Sequence, residues 1–379
     1  QSMKNNIVIY ASEKNAQEQF VCNTISFSEK KIDKTMQLLQ VYTDIRDQTF
    51  QGFGGAFTQA AAETFFSMDE VDQGRVMDML FGLEGLDYTC GRVAVGACDF
   101  SEGNYAYSVS EQTFLDDFSV ACDEKQILPL LRLAKQRYPQ LRLLASPWSP
   151  PAWMKTTGDM CRGGRLRPEC YDSYAEYLVR FLKAYEQAGV PIEYLTVQNE
   201  PEAVQTWESC LYTAEQEQQF IREHLMPALR RNGIICKLLV WDHNKEKAFT
   251  RAHEIFSDAS VRDMVAGIAF HWYSGDHFEN IALCRRMYPE KELVFTEGCV
   301  ELTVSNTVMA MRATQGEGES TAVHGEWRYG ECYGHDIIGN LNAGMNWSLD
   351  WNLLLDEKGG PNHVGNYCSA PLIYDKMRR

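Results

Sequence analysis

Leu141-Arg142-Leu143-Leu144-Ala145-Ser146-Pro147-Trp148-Ser149 is an apolar run closed by proline and tryptophan. An amphipathic stretch of helix length follows at 171–188. A second apolar run comes next, Glu193-Tyr194-Leu195-Thr196-Val197-Gln198-Asn199-Glu200. Strand, helix and strand in that order make a crossover unit, because parallel neighbours need a connection long enough to return to the same end of the sheet. The pattern repeats outward in both directions. β-rich apolar runs lie at 51–58, 91–99, 141–149, 193–200, 237–243, 266–273, 292–297 and 344–351. Helical patterns lie between most of them: at 69–81, in two segments of 111–138, at 171–188, and at 214–232 behind Thr213. This alternation predicts an α/β chain, a (β/α)8 TIM barrel, a fold of about 250 residues before insertions. A doubly wound open sheet is the alternative. Its dinucleotide fingerprint is missing, because Gly52-Phe53-Gly54-Gly55 does not follow G-x-G-x-x-G.

The flanks read differently. Residues 6–10 and 34–43 look like strands without crossover helices, so 1–50 is expected to start a small β side domain. Residues 51–352 form the barrel. Gly359-Gly360-Pro361-Asn362 marks a turn, and a strand-like run follows at 370–374. Residues 353–379 are therefore expected to return to the side domain and leave it partial.

The 379 residues carry 36 Lys and Arg against 52 Asp and Glu, a formal charge of −16. That balance disfavours nucleic acid, whose binding needs a basic patch, and docking on an anionic membrane surface. No apolar stretch reaches the roughly 18 residues of a membrane span. The first residues, Gln1-Ser2-Met3-Lys4-Asn5-Asn6, hold no apolar signal region. Twelve cysteines without a C-x-x-C pair suit a reducing compartment. Cys161 and Cys170 flank a loop and could pair. The expected location is cytoplasmic, with secretion open if a leader has been removed.

A TIM barrel carries its site at the C-terminal ends of its strands. Those ends present Asp99, Trp148, Trp153, Asn199, Glu200, Asp242, His243, His271, Trp272, Tyr273 and Glu297, and the eighth run holds Trp347. Aromatic faces among carboxylates and amides suit a sugar, whose C–H faces stack on rings and whose hydroxyls need polar partners. Singly, each residue also has a plain structural reading. A strand-end glutamate is often a salt-bridge partner, Trp148 packs, Asp99 caps a turn, His271 is a satisfied histidine, and Asp242 binds His243. Two glutamates at the ends of the fourth and seventh strands are harder to dismiss. Glu200 and Glu297 each follow an apolar run, and a carboxyl beside a buried strand end can have the raised pKa that a general acid needs. Retaining glycosidases hold such a pair about 5–5.5 Å apart, and inverting ones about 6.5–9.5 Å. A metal-dependent hydrolase would need ligands among His271, His243 and Asp242, yet no H-x-H or other metal spacing appears.

At these positions the chain resembles glycoside hydrolase family 30, the glucosylceramidase-like retaining β-glycosidases. The resemblance spans about 41–375. It is carried by Gln51-Gly52-Phe53-Gly54-Gly55-Ala56-Phe57-Thr58, Ala97-Cys98-Asp99-Phe100-Ser101, and Ser146-Pro147-Trp148-Ser149-Pro150-Pro151-Ala152-Trp153-Met154-Lys155. Gln198-Asn199-Glu200-Pro201-Glu202, His271-Trp272-Tyr273, Thr296-Glu297-Gly298-Cys299 and Asp350-Trp351-Asn352-Leu353 continue it in the same order. The resemblance implies Glu297 as nucleophile and Glu200 as acid/base. It implies Asn199 on the sugar 2-hydroxyl, and Asp99, Trp148 and Trp347 as ligands of the non-reducing sugar. His271 and Tyr273 become rim residues that orient Glu297. It implies no cofactor and no metal. The substrate is expected to be a β-glucoside or a β-1,6-linked glucan fragment, since family members act on glucosylceramide, β-1,6-glucan, β-xylosides, β-fucosides or xylan. A sugar-binding or inactive member is the alternative. About 27 residues follow Asn352, whereas the family adds several more strands there. An open side domain is expected to favour a homo-oligomer.

Overall fold

The computed structural model describes residues 6–17, 20–26, 35, 39–303 and 326–376. The chain divides into two compact units, Gln1–Asp47 and Gln48–Arg379. In the first, β1 (Asn6–Ala11) pairs antiparallel with β2 (Val21–Ser26), from Asn6 opposite Ser26 to Ala11 opposite Val21. The strand expected at 6–10 is present. Its partner is 21–26, whose β-branched Val21, Thr24 and Ile25 suit a strand. The run expected at 34–43 lies partly outside the described residues, and 39–43 is not a strand.

The second unit is a closed barrel of eight parallel strands. They are β3 (Gly52–Ala56), β4 (Cys90–Val95), β5 (Arg142–Pro147), β6 (Tyr194–Thr196), β7 (Lys237–Asn244), β8 (Val265–His271), β9 (Glu292–Glu297) and β10 (Trp347–Asp350). β10 closes the ring between β9 and β3. Each expected apolar run overlaps its strand, and β4, β7 and β8 each extend one residue beyond it. Every residue of β4 is buried, as a strand covered inside by the barrel core and outside by helices must be. The Gly-rich run is packing rather than a phosphate loop. A Cβ on Gly54 would lie 1.9 Å from the Cys90 carbonyl oxygen, so glycine lets β3 lie against β4. Helix starts follow capping chemistry. Asp69 accepts from the amide of Asp72, and Thr213 and Gln216 form a reciprocal capping box. The helix Tyr171–Gln187 buries Tyr174, Leu178, Phe181 and Tyr185 on one face.

Inward side chains fill the barrel in layers. Cys90, Leu144, Tyr194, Leu239, Ala269, Val294, Trp347 and Leu349 make an apolar floor. Above it Arg92, Ser146, Thr196, Asp242 and Thr296 make a fully buried polar layer.

The strand-like run expected at 370–374 contains a strand. β11 (Leu354–Asp356) pairs in parallel with β12 (Leu372–Tyr374). The segment between them binds the loop after β9: Ser369 N donates to Val300 O at 2.8 Å and Leu302 N to Tyr367 O at 2.8 Å. Residues 353–376 therefore pack on the barrel as part of its unit. Buried Leu354 and Leu355 explain why. Cys161 and Cys170 are free thiols, as are the other ten cysteines. Among the described residues no helix is long and apolar enough to cross a membrane.

Candidate active site

The C-terminal strand ends open on a cavity of about 420 Å³. Six of the eight residues singled out from the sequence line it: Asp99, Trp148, Asn199, Glu200, Tyr273 and Glu297. The other two do not. His271 is fully buried beneath the cavity, with Nδ1 3.2 Å from Glu200 Oε1 and Nε2 3.0 Å from Asp242 Oδ1. It holds Glu200 rather than Glu297. Trp347 lies in the apolar floor, opposite Gly52 and Val294 at the start of β10. Four residues later, past the end of that strand, Trp351 takes the position expected of Trp347. It lines the cavity and stacks on Trp148 at 5.2 Å with 20° between the rings.

Sequence reasoning missed the residue that ties the site together. Arg92 is fully buried in the polar layer. It donates through Nη1 to Glu297 Oε2 at 2.5 Å, and through Nη2 to Asn199 Oδ1 at 2.8 Å and Asp242 Oδ2 at 2.9 Å. Its Nε reaches Ser146 Oγ at 3.1 Å, and its Cζ lies 4.7 Å over the Trp148 ring. One signal was available: an arginine inside the run Gly91-Arg92-Val93-Ala94-Val95 must find buried partners. Asp242 is the second node. It accepts from Arg92, from Ser146 Oγ at 2.8 Å, Thr196 Oγ1 at 2.7 Å and Thr296 Oγ1 at 2.6 Å, besides His271. It does not bind His243.

The backbone is strained where the chemistry lies. Glu200 has φ +47°, Trp241 +76° and Asp242 +50°, left-handed values that cost about 1–3 kcal/mol each for such residues. The Glu200 amide donates to Asp242 O at 2.9 Å, which joins the two irregular turns. The register of β7 against β8 shifts between Trp241 and His243. A regular strand sends neighbouring side chains to opposite faces. This bulge sends Asp242 into the barrel and still leaves His243 lining the cavity.

Electrostatics follow from burial and pairing. Burial would raise the Asp242 carboxyl, but the Arg92 charge and the His271 hydrogen bond hold it far below the usual carboxylate range. His271 is pushed up to about 9. Burial opposes its charge, but Glu297, Asp242 and Glu200 outweigh it. Burial also works against ionised Glu200, yet His243 and His271 hold it below the usual carboxylate range, so the raised pKa expected of a general acid is not found at Glu200. Glu297 is raised by burial and by the Glu200 charge, against His271 and Arg92. The Tyr273 hydroxyl, pushed far up by burial, stays protonated and donates to Glu297 Oε1 at 3.1 Å. Asp99 is raised by burial and then by Glu297, and Asn366 Nδ2 donates to its Oδ2 at 3.0 Å. Asn366 comes from the C-terminal segment, which thus supplies a wall of the cavity. Glu200, His243 and His271 bring three donor atoms within 4.8 Å of one another, so a metal ion would find its ligands there.

A family model, the glycosyl hydrolase family 30 TIM-barrel domain, matches residues 50–378. The putative glucosylceramidase 3 of Caenorhabditis elegans is 34% identical over 344 residues, which are 87% of this chain and 63% of that protein. The chain thus spans less than two thirds of that relative's length. The solved structure of SrfJ from Salmonella typhimurium superposes with a TM-score of 0.85 at 37% identity, over 98% of this chain and 79% of its own. The endo-β1,6-glucanase BT3312 superposes at 0.81 with 25% identity, over 95% of this chain and 77% of its own.

Proposed function

Because the chain belongs to glycosyl hydrolase family 30, we propose that it is a retaining exo-β-glycosidase acting on a β-glucoside, with Glu297 as nucleophile and Glu200 as acid/base. One observation carries this reading: the two carboxylates, from the ends of β6 and β9, line one cavity beside the stacked pair Trp148 and Trp351. Arg92 and Tyr273 each bind one oxygen of Glu297 and so aim it. Asp99 and Asn366 close the far side with acceptor and donor groups for sugar hydroxyls.

The reaction takes two displacements. In the first, a Glu297 oxygen bonds to the anomeric carbon while the glycosidic C–O bond breaks. The leaving oxygen takes its proton through Glu200, which the His271 imidazolium, with Nδ1 3.2 Å away, first protonates. In the second, Glu200 takes a proton from water, the water oxygen bonds to the anomeric carbon, and the ester to Glu297 breaks. Asn199, held by Arg92, faces the 2-hydroxyl, where contacts strengthen in the oxocarbenium-like transition state.

Release of nitrophenol from nitrophenyl β-glucoside tests the assignment. Glu297→Gln should abolish turnover. Glu200→Gln should lower the rate by about 10²–10⁴ and slow poor leaving groups more than good ones. Unchanged rates in both variants would overturn the roles given to the two glutamates, and no turnover by the wild type would leave a sugar-binding protein. Proton NMR of the first product should show the β-anomer, and an initial α-anomer refutes retention. Likeness to the endo-β1,6-glucanase favours β-1,6-linked glucan as the second substrate, and likeness to a putative glucosylceramidase favours glucosylceramide. An array of both with nitrophenyl glycosides ranks them.

A further inference from the structure

His243 has no part in the reaction as written, yet a bulge turns it into the cavity. Its Nδ1 has no hydrogen-bond partner among the described residues and lies 3.7 Å from Glu200 Oε1. The same oxygen lies 3.2 Å from His271 Nδ1. We propose that these three atoms form a binding site for a divalent cation of the zinc or copper class, and that an ion there blocks hydrolysis. The site is new to the sequence reading, which placed Asp242 with the histidines and expected no metal.

Four features support it. The first is spacing: ligands at about 2.0–2.2 Å in a tetrahedron stand about 3.4 Å apart, close to the two separations from Glu200, and the two histidine donors lie within 4.8 Å of each other. The second is ligand type, two imidazoles and one carboxylate, which suits zinc and copper and not magnesium or calcium. The third is the outer support. His271 Nε2 is held by Asp242 Oδ1 at 3.0 Å, and Asp242 is fixed in turn by Arg92, Ser146, Thr196 and Thr296. A carboxylate behind a ligating histidine sets its tautomer and orients its ring. The fourth is charge. With His271 neutral, Asp242 and Glu297 on Arg92, together with Glu200, leave a formal surplus of two negative charges, which a divalent ion cancels. Glu200 and His243 line the cavity, which gives an ion its way in.

Binding requires the ion to displace the proton on His271 Nδ1 and to occupy the acid/base oxygen. The inhibition therefore rests on the proposed role of Glu200, whereas the binding does not. The test uses the full chain after chelator treatment. Titrating Co²⁺ should develop visible absorption bands of a low-coordinate nitrogen and oxygen site, and Cu²⁺ should give an EPR signal split by two imidazole nitrogens. Calorimetry with Zn²⁺ should show one site, weakened at least about tenfold in both His243→Asn and Glu200→Gln. Circular dichroism confirms that the variants fold. Equal Zn²⁺ affinity in wild type and both variants overturns the site. Zn²⁺ should also stop nitrophenyl glycoside hydrolysis and a chelator should restore it. Tight binding with undiminished turnover would keep the site, overturn the blocking, and remove Glu200 from the acid/base role.

Discussion

An arginine lies over a tryptophan at both ends of the barrel, with opposite consequences. At the floor, Arg142 Cζ is 4.4 Å from the Trp347 ring and 5.3 Å from Tyr194. Its guanidinium is partly exposed and pairs with Glu193 at 2.7 Å. At the mouth, Arg92 Cζ is 4.7 Å from Trp148 and 5.7 Å from Trp351. Its guanidinium is fully buried, and its partners are Glu297, Asn199 and Asp242. The cation–π contact is common to both and so marks neither. What distinguishes the mouth is a buried cation with two partners, Glu297 and Asn199, that line a cavity. The floor arginine seals; the mouth arginine aims.

Replacing the two arginines should give the largest contrast. Arg92→Ala leaves Asp242 and Glu297 as buried, unpaired carboxylates, which should cost about 3–5 kcal/mol in urea unfolding. Displacing the nucleophile should also cut kcat/KM by about 10²-fold. Arg142→Ala breaks a partly exposed pair and should cost about 1 kcal/mol, with kcat/KM unchanged. Similar losses in both variants would end the distinction between floor and mouth.

The tryptophans sharpen it. Trp347→Ala opens a cavity in the closed floor and should lose about 3–5 kcal/mol of stability. The folded fraction should keep its KM. Trp351→Ala removes a ring that faces the cavity. It should cost about 0.5–1.5 kcal/mol of substrate interaction, roughly up to tenfold in kcat/KM, with a smaller effect on unfolding. The reverse pattern would return Trp347 to the sugar site.

The same contrast explains what the sequence disclosed. Burial on both faces makes a parallel strand a continuous apolar run, so all eight strands were visible. Glu200 and Glu297 stood out because each ends such a run. Arg92 did not, since its place within β4 looks structural until Asp242 and Glu297 are known to converge on it from β7 and β9. Trp347 and Trp351 lie in one run, 344–351, and only the strand's true start at Trp347 decides which reaches the mouth. The bulge at Trp241–His243 breaks the period-two rule on which inward and outward faces are read. Asn366 lies nearly 270 positions from Asp99, and no local pattern joins them.

A buried carboxylate near the mouth offers the smallest and most telling test. At the floor, Glu193 and Glu292 are both matched by cations, Arg142 and Lys237. Glu208, next to the cavity residue Trp207, is buried, and neither of its oxygens finds a hydrogen-bond partner elsewhere among the described residues. Burial raises its pKa, against its own amide and the charges of His363 and Lys155. A carboxyl with a folded pKa above its unfolded value binds its proton more tightly in the native state. The Glu208 contribution to native stability should therefore be greatest at acid pH and fall as pH rises from the unfolded value through the folded one. Glu208→Gln removes the charge and keeps the shape. It should leave stability unchanged at acid pH and raise it by on the order of 1–3 kcal/mol at neutral pH, the cost of an unsatisfied buried group. Unfolding by urea across that range measures the difference. A loss of stability at neutral pH would mean that the ionised carboxylate is matched after all, and that the mouth is as well compensated as the floor.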